Sequence, residues 1–199
     1  MKIMGLVLAG GLSRRMGGQE KSLMDLNGAP LIQIVAGRLM PQVDTLMINA
    51  NGDGARFGFT GLQVVADTLD GFAGPLAGLL AGMRAAKDAT HILTAAADTP
   101  FFPTDLAQRL AASLDSADQV AMARSGTRVH PVFGLWPVAL GDALEAFLVQ
   151  EDKRKILEFA NRYTLHEVPF PMGAVDPFFN VNTPRDLEEA RAYHGGEMV

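Results

Sequence analysis

"LAGGLSRRMGGQEKS", residues 8–22, follows directly on the apolar run Ile3–Val7, and the reading of that join decides the fold. Ile3–Ala9 has apolar residues at successive positions, the pattern of a strand buried on both faces in a helix-covered parallel sheet. Gly10 and Gly11 end it; lacking Cβ atoms, they allow a tight turn and let backbone N–H groups approach a ligand closely. Ser13 adds a hydroxyl, and Arg14, Arg15 and Lys21 add positive charge. Amides, guanidinium forks and an ammonium together make an inventory for phosphate. Glycines alone would favour a plain surface turn. Cations clustered directly after a buried strand reverse that balance. The loop is neither a G-x-G-x-x-G fingerprint nor a Walker A loop, because Glu20 stands where the latter needs glycine before its lysine.

Strand and helix patterns alternate outward from this loop. Leu31, Ile32, Val35 and Leu39 recur at helical spacing, Thr45–Ile48 reads as a second strand and Val64-Val65 as part of a third. Leu76, Leu79, Leu80 and Met83 mark a helix opened by Gly74-Pro75, and His91–Ala96 is the next strand. Leu106, Leu110 and Leu114 give another helix, Gln119–Ala123 and Val132–Trp136 two later strands, and Val138–Val149 a helix after them. Near the end, Thr183-Pro184-Arg185-Asp186 offers an N-cap threonine, proline at the first helical position and a carboxylate at the third. The alternation predicts an α/β fold: an open, mostly parallel sheet flanked by helices, with right-handed crossovers. Ligands of such sheets bind beyond the carboxyl ends of the strands. Length and the absence of repeats or linkers predict a single domain, residues 1–199.

The composition narrows the function classes. A net charge of −5 leaves no basic face for a nucleic-acid backbone, although a few converging cations can still hold a small polyanion. With no cysteine in the chain, disulfides and thiolate metal sites are excluded. No apolar run approaches the roughly 18 residues needed to span a bilayer. Ile3–Leu8 is broken by Gly5 and lacks a signal-peptide cleavage pattern, so a cytoplasmic location is expected.

Further candidate residues fall at predicted strand ends. Asn49 follows the second strand and Asp67 the third; an amide and a carboxylate there suit a nucleobase edge, and equally suit ordinary turn chemistry. Asp98 ends the strand Ile92–Ala96, where a carboxylate near phosphates is typical of Mg²⁺, but also of a turn cap. Asn180 and Asn182, two apart, project to one face of an extended segment. The four histidines have no ligand spacing and read as structural or surface residues. Lys153, Arg154 and Lys155 form a short basic run, solvated or available to an anionic acceptor.

Taken as an ordered set, these segments resemble the molybdenum cofactor guanylyltransferases, the MobA family. "LAGGLSRRMGGQEKS" is similar to that family's LAGGxSxRMGxDK, with Glu20 in place of the usual Asp. "GPLAG" at 74–78, "ADTP" at 97–100 (CDTP in the family), "HPVFGLW" at 130–136 and "NVNTPRDL" at 180–187 follow in order. The resemblance implies a Rossmann-like nucleotidyltransferase in which Leu8, Ala9, Gly10, Gly11, Ser13 and Lys21 hold a nucleoside triphosphate. It implies nucleotide contacts for Asn49, Asp67 and Gly78, Mg²⁺ on Asp98, and active-site places for Asn180 and Asn182. Lys21, Arg15 and Asp98 would carry catalysis. The implied substrates are GTP and molybdenum-bound molybdopterin. Molybdoenzyme apo-proteins and other cofactor-biosynthesis proteins are the implied partners; nucleic acid and membrane are not. The rival readings are cytidylyl transfer to molybdopterin, nucleotidyl transfer to a sugar phosphate, and a nucleotide-binding regulatory domain without turnover.

Overall fold

The computed structural model describes residues 1–10, 20–69, 71, 74–151 and 153–195. Gly11, Ser13, Arg14 and Arg15 lie outside the described residues. The first strand, β1 (Ile3–Leu8), leads through the hairpin β2 (Asp25–Leu26) and β3 (Ala29–Pro30) into helix α1 (Leu31–Leu39). Then come β4 (Thr45–Asn49), β5 (Gln63–Val65), α2 (Pro75–Ala85), β6 (His91–Ala96) and α3 (Leu106–Ala112). The chain continues with β7 (Val120–Ser125), β8 (Arg128–Pro137), α4 (Gly141–Val149), α5 (Ile156–Ala160), β9 (Leu165–Phe170) and α6 (Pro184–Gly195).

Among the described residues, seven strands form one sheet in the order β5-β4-β1-β6-β8-β7-β9. β1 pairs parallel with both β4 and β6, and β7 pairs parallel with β9. β8 runs antiparallel to its neighbours, β6 and β7. The expected mostly parallel sheet is therefore observed, with one reversed strand entered through the tight turn at Gly126 (φ 52°). From β1 the chain builds to one side, through β4 and β5, and then returns past β1 to β6. That reversal opens a crevice at the carboxyl ends of the strands, where open α/β sheets take their ligands.

The first strand shows why both faces must be covered. Val7 packs with Ile32, Val35 and Leu39 of α1 in one buried cluster, whereas Met4 and Leu6 join Leu76, Leu80 and Met83 of α2 in another. Alternate side chains of one strand thus enter opposite cores. Trp136, Phe147 and Phe159 extend the second cluster beneath α4 and α5. A third, small cluster seats α6 on the hairpin through Leu26, Leu31, Val181, Leu187 and Ala190. No helix among the described residues is long and apolar enough to cross a membrane.

Three elements go beyond the sequence expectation. The β2–β3 hairpin turns on Asn27 (φ 54°) and Gly28 (φ 97°), the Asn-Gly pairing that favours two-residue hairpins. α5 has only 5 residues, too few for a helical period to show. β9 alternates imperfectly and contains Pro169, tolerable because it is the edge strand.

Candidate active site

A cleft of about 260 Å³ lies at the carboxyl ends of β1, β4, β5 and β6. Its floor is the end of β1: Leu8, Ala9 and Gly10 all line it. Ala9 N–H donates to the Asn49 carbonyl (2.9 Å), and Ala97 N–H donates to the Leu8 carbonyl (3.1 Å), so this floor is tied to both neighbouring strands. Gly74 and Pro75, where α2 begins, form part of one wall. A helix N-terminus there presents unpaired N–H groups and the positive end of its dipole.

Asn49 and Asp67 meet at one end of the cleft. Asn49 is buried, and its Nδ2 donates to Asp67 Oδ1 (2.9 Å) and to the Val65 carbonyl (3.2 Å). Asn51 holds the same carboxylate from the other side: its Nδ2 donates to Asp67 Oδ2 (2.7 Å), and its Oδ1 accepts from the Asp67 N–H (2.8 Å). Each oxygen of Asp67 therefore receives one amide and keeps further acceptor capacity. The carboxylate is held in one orientation at the cleft wall.

Gly78 is placed differently from the expectation. It lies one turn into α2, outside the cleft lining, and packs against Asn49 and Leu8. A Cβ at this position would overlap Asn49 Oδ1 and come within 2.8 Å of Leu8 Cδ2. Its lack of a side chain lets α2 approach the sheet and leaves Asn49 its position; it does not itself face the cleft. Close packing of α2 on the sheet accounts for Gly78, to which the family resemblance assigns a nucleotide contact.

Lys21, Asp98 and Asn180 line another part of the cleft. Lys21 opens a 3₁₀ turn, Lys21–Leu23, and its Nζ donates to Asn182 Oδ1 at 2.6 Å. Asp98 follows β6, and its carbonyl accepts the Val181 N–H (2.8 Å), which pins the segment bearing Asn180 and Asn182 against it. Burial pushes the Asp98 carboxyl above its ordinary pKa, partly offset by the charge of Lys21 and by hydrogen bonds including one from Asn180. Asn180 Oδ1 is buried and has no hydrogen-bond partner among the described residues. A buried carboxylate beside an orphaned carbonyl oxygen is an unbalanced arrangement that a hard cation would balance.

The sequence cap at the last helix forms as expected. Asp186 N–H donates to Thr183 Oγ1 (3.2 Å), while Asp186 Oδ2 accepts from the N–H groups of Asn182 (2.8 Å) and Thr183 (2.9 Å). The box satisfies free helix-start donors and fixes the backbone of Asn182, which does not line the cleft but touches Lys21.

Arg56 carries no sequence signal, yet it contacts the turn that bears the lysine. Its Nε donates to Glu20 Oε2 at 2.6 Å, from a 3₁₀ segment 36 residues away. Only the tertiary fold brings them together. Of the histidines, His130 Nε2 contacts Ser125 Oγ (2.7 Å) within the fold, and His166 Nε2 contacts Gln119 Oε1 (3.1 Å). Among the described residues, no group of three or more histidines and acidic residues is arranged to hold a metal. Lys153 of the basic run is held by Glu151 (3.2 Å) and Glu158 (3.0 Å), outside the cleft lining.

Comparison with known proteins agrees with this geometry. The MobA-like NTP transferase domain model matches residues 5–168. A molybdenum cofactor guanylyltransferase from Mesorhizobium japonicum is 48% identical over 195 residues, covering 94% of each chain. One from Rhodopseudomonas palustris is 50% identical over 190 residues, covering 93% of this chain and 90% of its own. The crystal structure of molybdopterin-guanine dinucleotide biosynthesis protein A from Archaeoglobus fulgidus has the same fold, with a TM-score of 0.75 at 24% identity, over 98% of this chain and 100% of its own. Matched along nearly its whole length, the chain belongs to the molybdenum cofactor guanylyltransferases, nucleotidyltransferases with a MobA-like NTP transferase domain.

Proposed function

We propose that this protein, acting as one domain over residues 1–199, transfers GMP from GTP to molybdenum-bearing molybdopterin and releases pyrophosphate. One observation carries the reading: a single cleft at the sheet's switch point holds a fixed amide–carboxylate pair, Asn49–Asp67, and a cation–carboxylate group, Lys21, Asp98 and Asn180. The first group suits guanine's donor edge, formed by the ring N–H and exocyclic amine. The second suits the polyphosphate. The Leu8–Gly10 backbone lies between them as the floor.

In the transfer, a terminal phosphate oxygen of molybdopterin attacks the α-phosphorus of GTP in line. The bond from that phosphorus to the bridging oxygen breaks, and pyrophosphate leaves with the electron pair. The attacking oxygen is already anionic near neutral pH, so no strong general base is needed. What the chain supplies is position and charge. Lys21 neutralises the triphosphate and the departing pyrophosphate, with Arg15 assigned the same task on resemblance alone. Gly11 and Ser13 are assigned to the phosphate loop on that ground too. Asp98 and the unpartnered Asn180 Oδ1 fit Mg²⁺, which takes few protein ligands and fills its shell with phosphate oxygens and water. When bound, the ion would supply charge stabilisation to the phosphoryl oxygens. Apo-proteins of molybdoenzymes would receive the product, and the cysteine-free sequence suits the reducing cytoplasm we propose as its compartment.

The test is a competition assay with Mg²⁺, molybdenum-loaded molybdopterin, and equal GTP, ATP and CTP. A site of oriented polar groups leaves them unpaired against the wrong base, so GTP should be preferred by about 100-fold or more. Equal incorporation of the three would remove guanylyl transfer, and a preference for CTP would put cytidylyl transfer in its place.

A further inference from the structure

The turn that carries Lys21 and the loop that orients Asp67 are joined by one side chain. Arg56 donates through Nε to Glu20 Oε2 (2.6 Å), through Nη2 to the Asn51 carbonyl (2.8 Å), and through Nη1 to the Asp53 carbonyl. Its guanidinium lies over the buried ring of Phe57, 4.5 Å from the centroid, which sets the plane of the fork. Glu20 in turn caps the lysine's own turn: its carbonyl accepts from Leu23 N–H (3.0 Å), and its Oε1 accepts from Ser22 Oγ (3.2 Å). Asn51, whose carbonyl Arg56 holds, is the residue that grips Asp67 through its backbone and side chain together. Contacts therefore run from Lys21 through Glu20, Arg56 and Asn51 to Asp67, from one group lining the cleft to the other.

We infer that Glu20 and Arg56 form a positioning pair that fixes the spacing between the phosphate-facing lysine and the base-facing carboxylate. The inference rests on the nucleotide reading of the cleft given above. Both side chains are mostly buried (26% and 25% exposed), so a contribution to folding accompanies the positioning. What distinguishes the pair is a fork with three acceptors in three directions, which fixes geometry as an ammonium at the same place cannot.

The experiment is a double-mutant cycle on the full chain with Glu20→Gln, Arg56→Ala and the two combined, alongside Arg56→Lys. The readouts are kcat and KM for the nucleotide, nucleotide Kd without acceptor, and Tm. Each single change should weaken nucleotide binding and lower kcat/KM about tenfold or more, because misplaced groups lose the benefit of preorganisation. The double variant should be no worse than the poorer single, as expected for groups acting through one contact. Arg56→Lys should not rescue. Losses that multiply in the double variant, or a lowered Tm with wild-type kinetics, would overturn the inference. Glu20→Gln keeps shape and the Ser22 contact, so it reports even where Arg56→Ala folds poorly. Should the wild type prefer another nucleotide, the guanylyl reading fails, and the cycle is run with that nucleotide to judge the pair separately.

Discussion

Lys21 Nζ donates to Asn182 Oδ1 at 2.6 Å, joining residues 161 apart in sequence and closing the turn after β1 onto the segment before α6. The acceptor is itself fixed, because Asp186 in the first turn of α6 accepts the Asn182 N–H. A lysine is a flexible point charge, and a rigid neutral acceptor directs it without cancelling its charge.

That arrangement sets the first prediction. Removing one electrostatic donor from a preorganised site costs on the order of 2–4 kcal/mol of transition-state stabilisation. Lys21→Ala should lose about 100-fold or more in kcat/KM, and Asn182→Ala less, because it releases the lysine without removing it. In the double variant the loss should match that of Lys21→Ala. A loss below about threefold for Lys21→Ala would reduce the lysine to a surface charge.

Asp98 gives a prediction with opposite signs for activity and stability. Burial raises its pKa in the folded protein, so the native state binds this proton more strongly than the unfolded chain. The favourable contribution is full below the unfolded pKa and is lost as pH rises through the folded one. At neutral pH the buried carboxylate is therefore a cost, which Asp98→Asn removes. The variant should melt higher than wild type at pH 7, by an amount that shrinks as pH falls into the carboxylate range. Turnover should fall by about 100-fold, since a neutral amide is a poor ligand for a hard cation. Melting curves from pH 4 to 8 without nucleotide, with rates at limiting Mg²⁺, check both signs.

Gly78 separates packing from contact. A methyl group there would press on Asn49, whose amide is committed to Asp67 and Val65, so relaxation must break those bonds. Overpacking of this kind costs about 1–3 kcal/mol. Gly78→Ala should lower Tm and also weaken nucleotide binding about tenfold. Gly82→Ala is the control: its Cβ would meet Leu6 Cδ2 at 2.6 Å in the core, away from the cleft. It should lose stability alone. Equal nucleotide Kd values in the two variants would separate Gly78 from the site.

The contrast between Gly78 and Arg56 shows what a sequence can carry. β1, the strand delivering Asp98, and the Thr183–Asp186 cap obey rules acting over a few residues, and all three form as the residues predict. Asn27-Gly28 had such a signal as well, and a hairpin was there to be read. Arg56 had none, because its meaning lies in carbonyls and a carboxylate that only tertiary folding brings near. The antiparallel direction of β8 is likewise invisible in its apolar run, since both directions bury the same side chains. Gly78 was legible as a position without a side chain, but not as the space that Asn49 occupies.

The last prediction concerns the base. Asp67 accepts one hydrogen bond each from Asn49 and Asn51 and donates its own N–H to Asn51, so its orientation exists before any nucleotide arrives. A fixed carboxylate accepts from guanine's ring N–H and exocyclic amine, whereas adenine presents a ring acceptor in place of that N–H. Discrimination of this kind comes from groups left unpaired by the wrong ligand, and it should vanish with the carboxylate. Asp67→Ala should therefore reduce the preference for GTP over ATP by about tenfold or more, while Kd for inorganic triphosphate, which has no base, stays within about twofold of wild type. Asn51→Ala should shift the preference in the same direction by less, because Asn49 still holds one oxygen. Inosine triphosphate, lacking the exocyclic amine, should bind wild type more weakly than GTP and bind Asp67→Ala about equally. The measurement is a set of paired titrations with the three nucleotides and triphosphate on the three proteins. A Kd that falls away equally for GTP, ATP and triphosphate in Asp67→Ala would make this carboxylate a support for the loop and move base recognition elsewhere in the cleft.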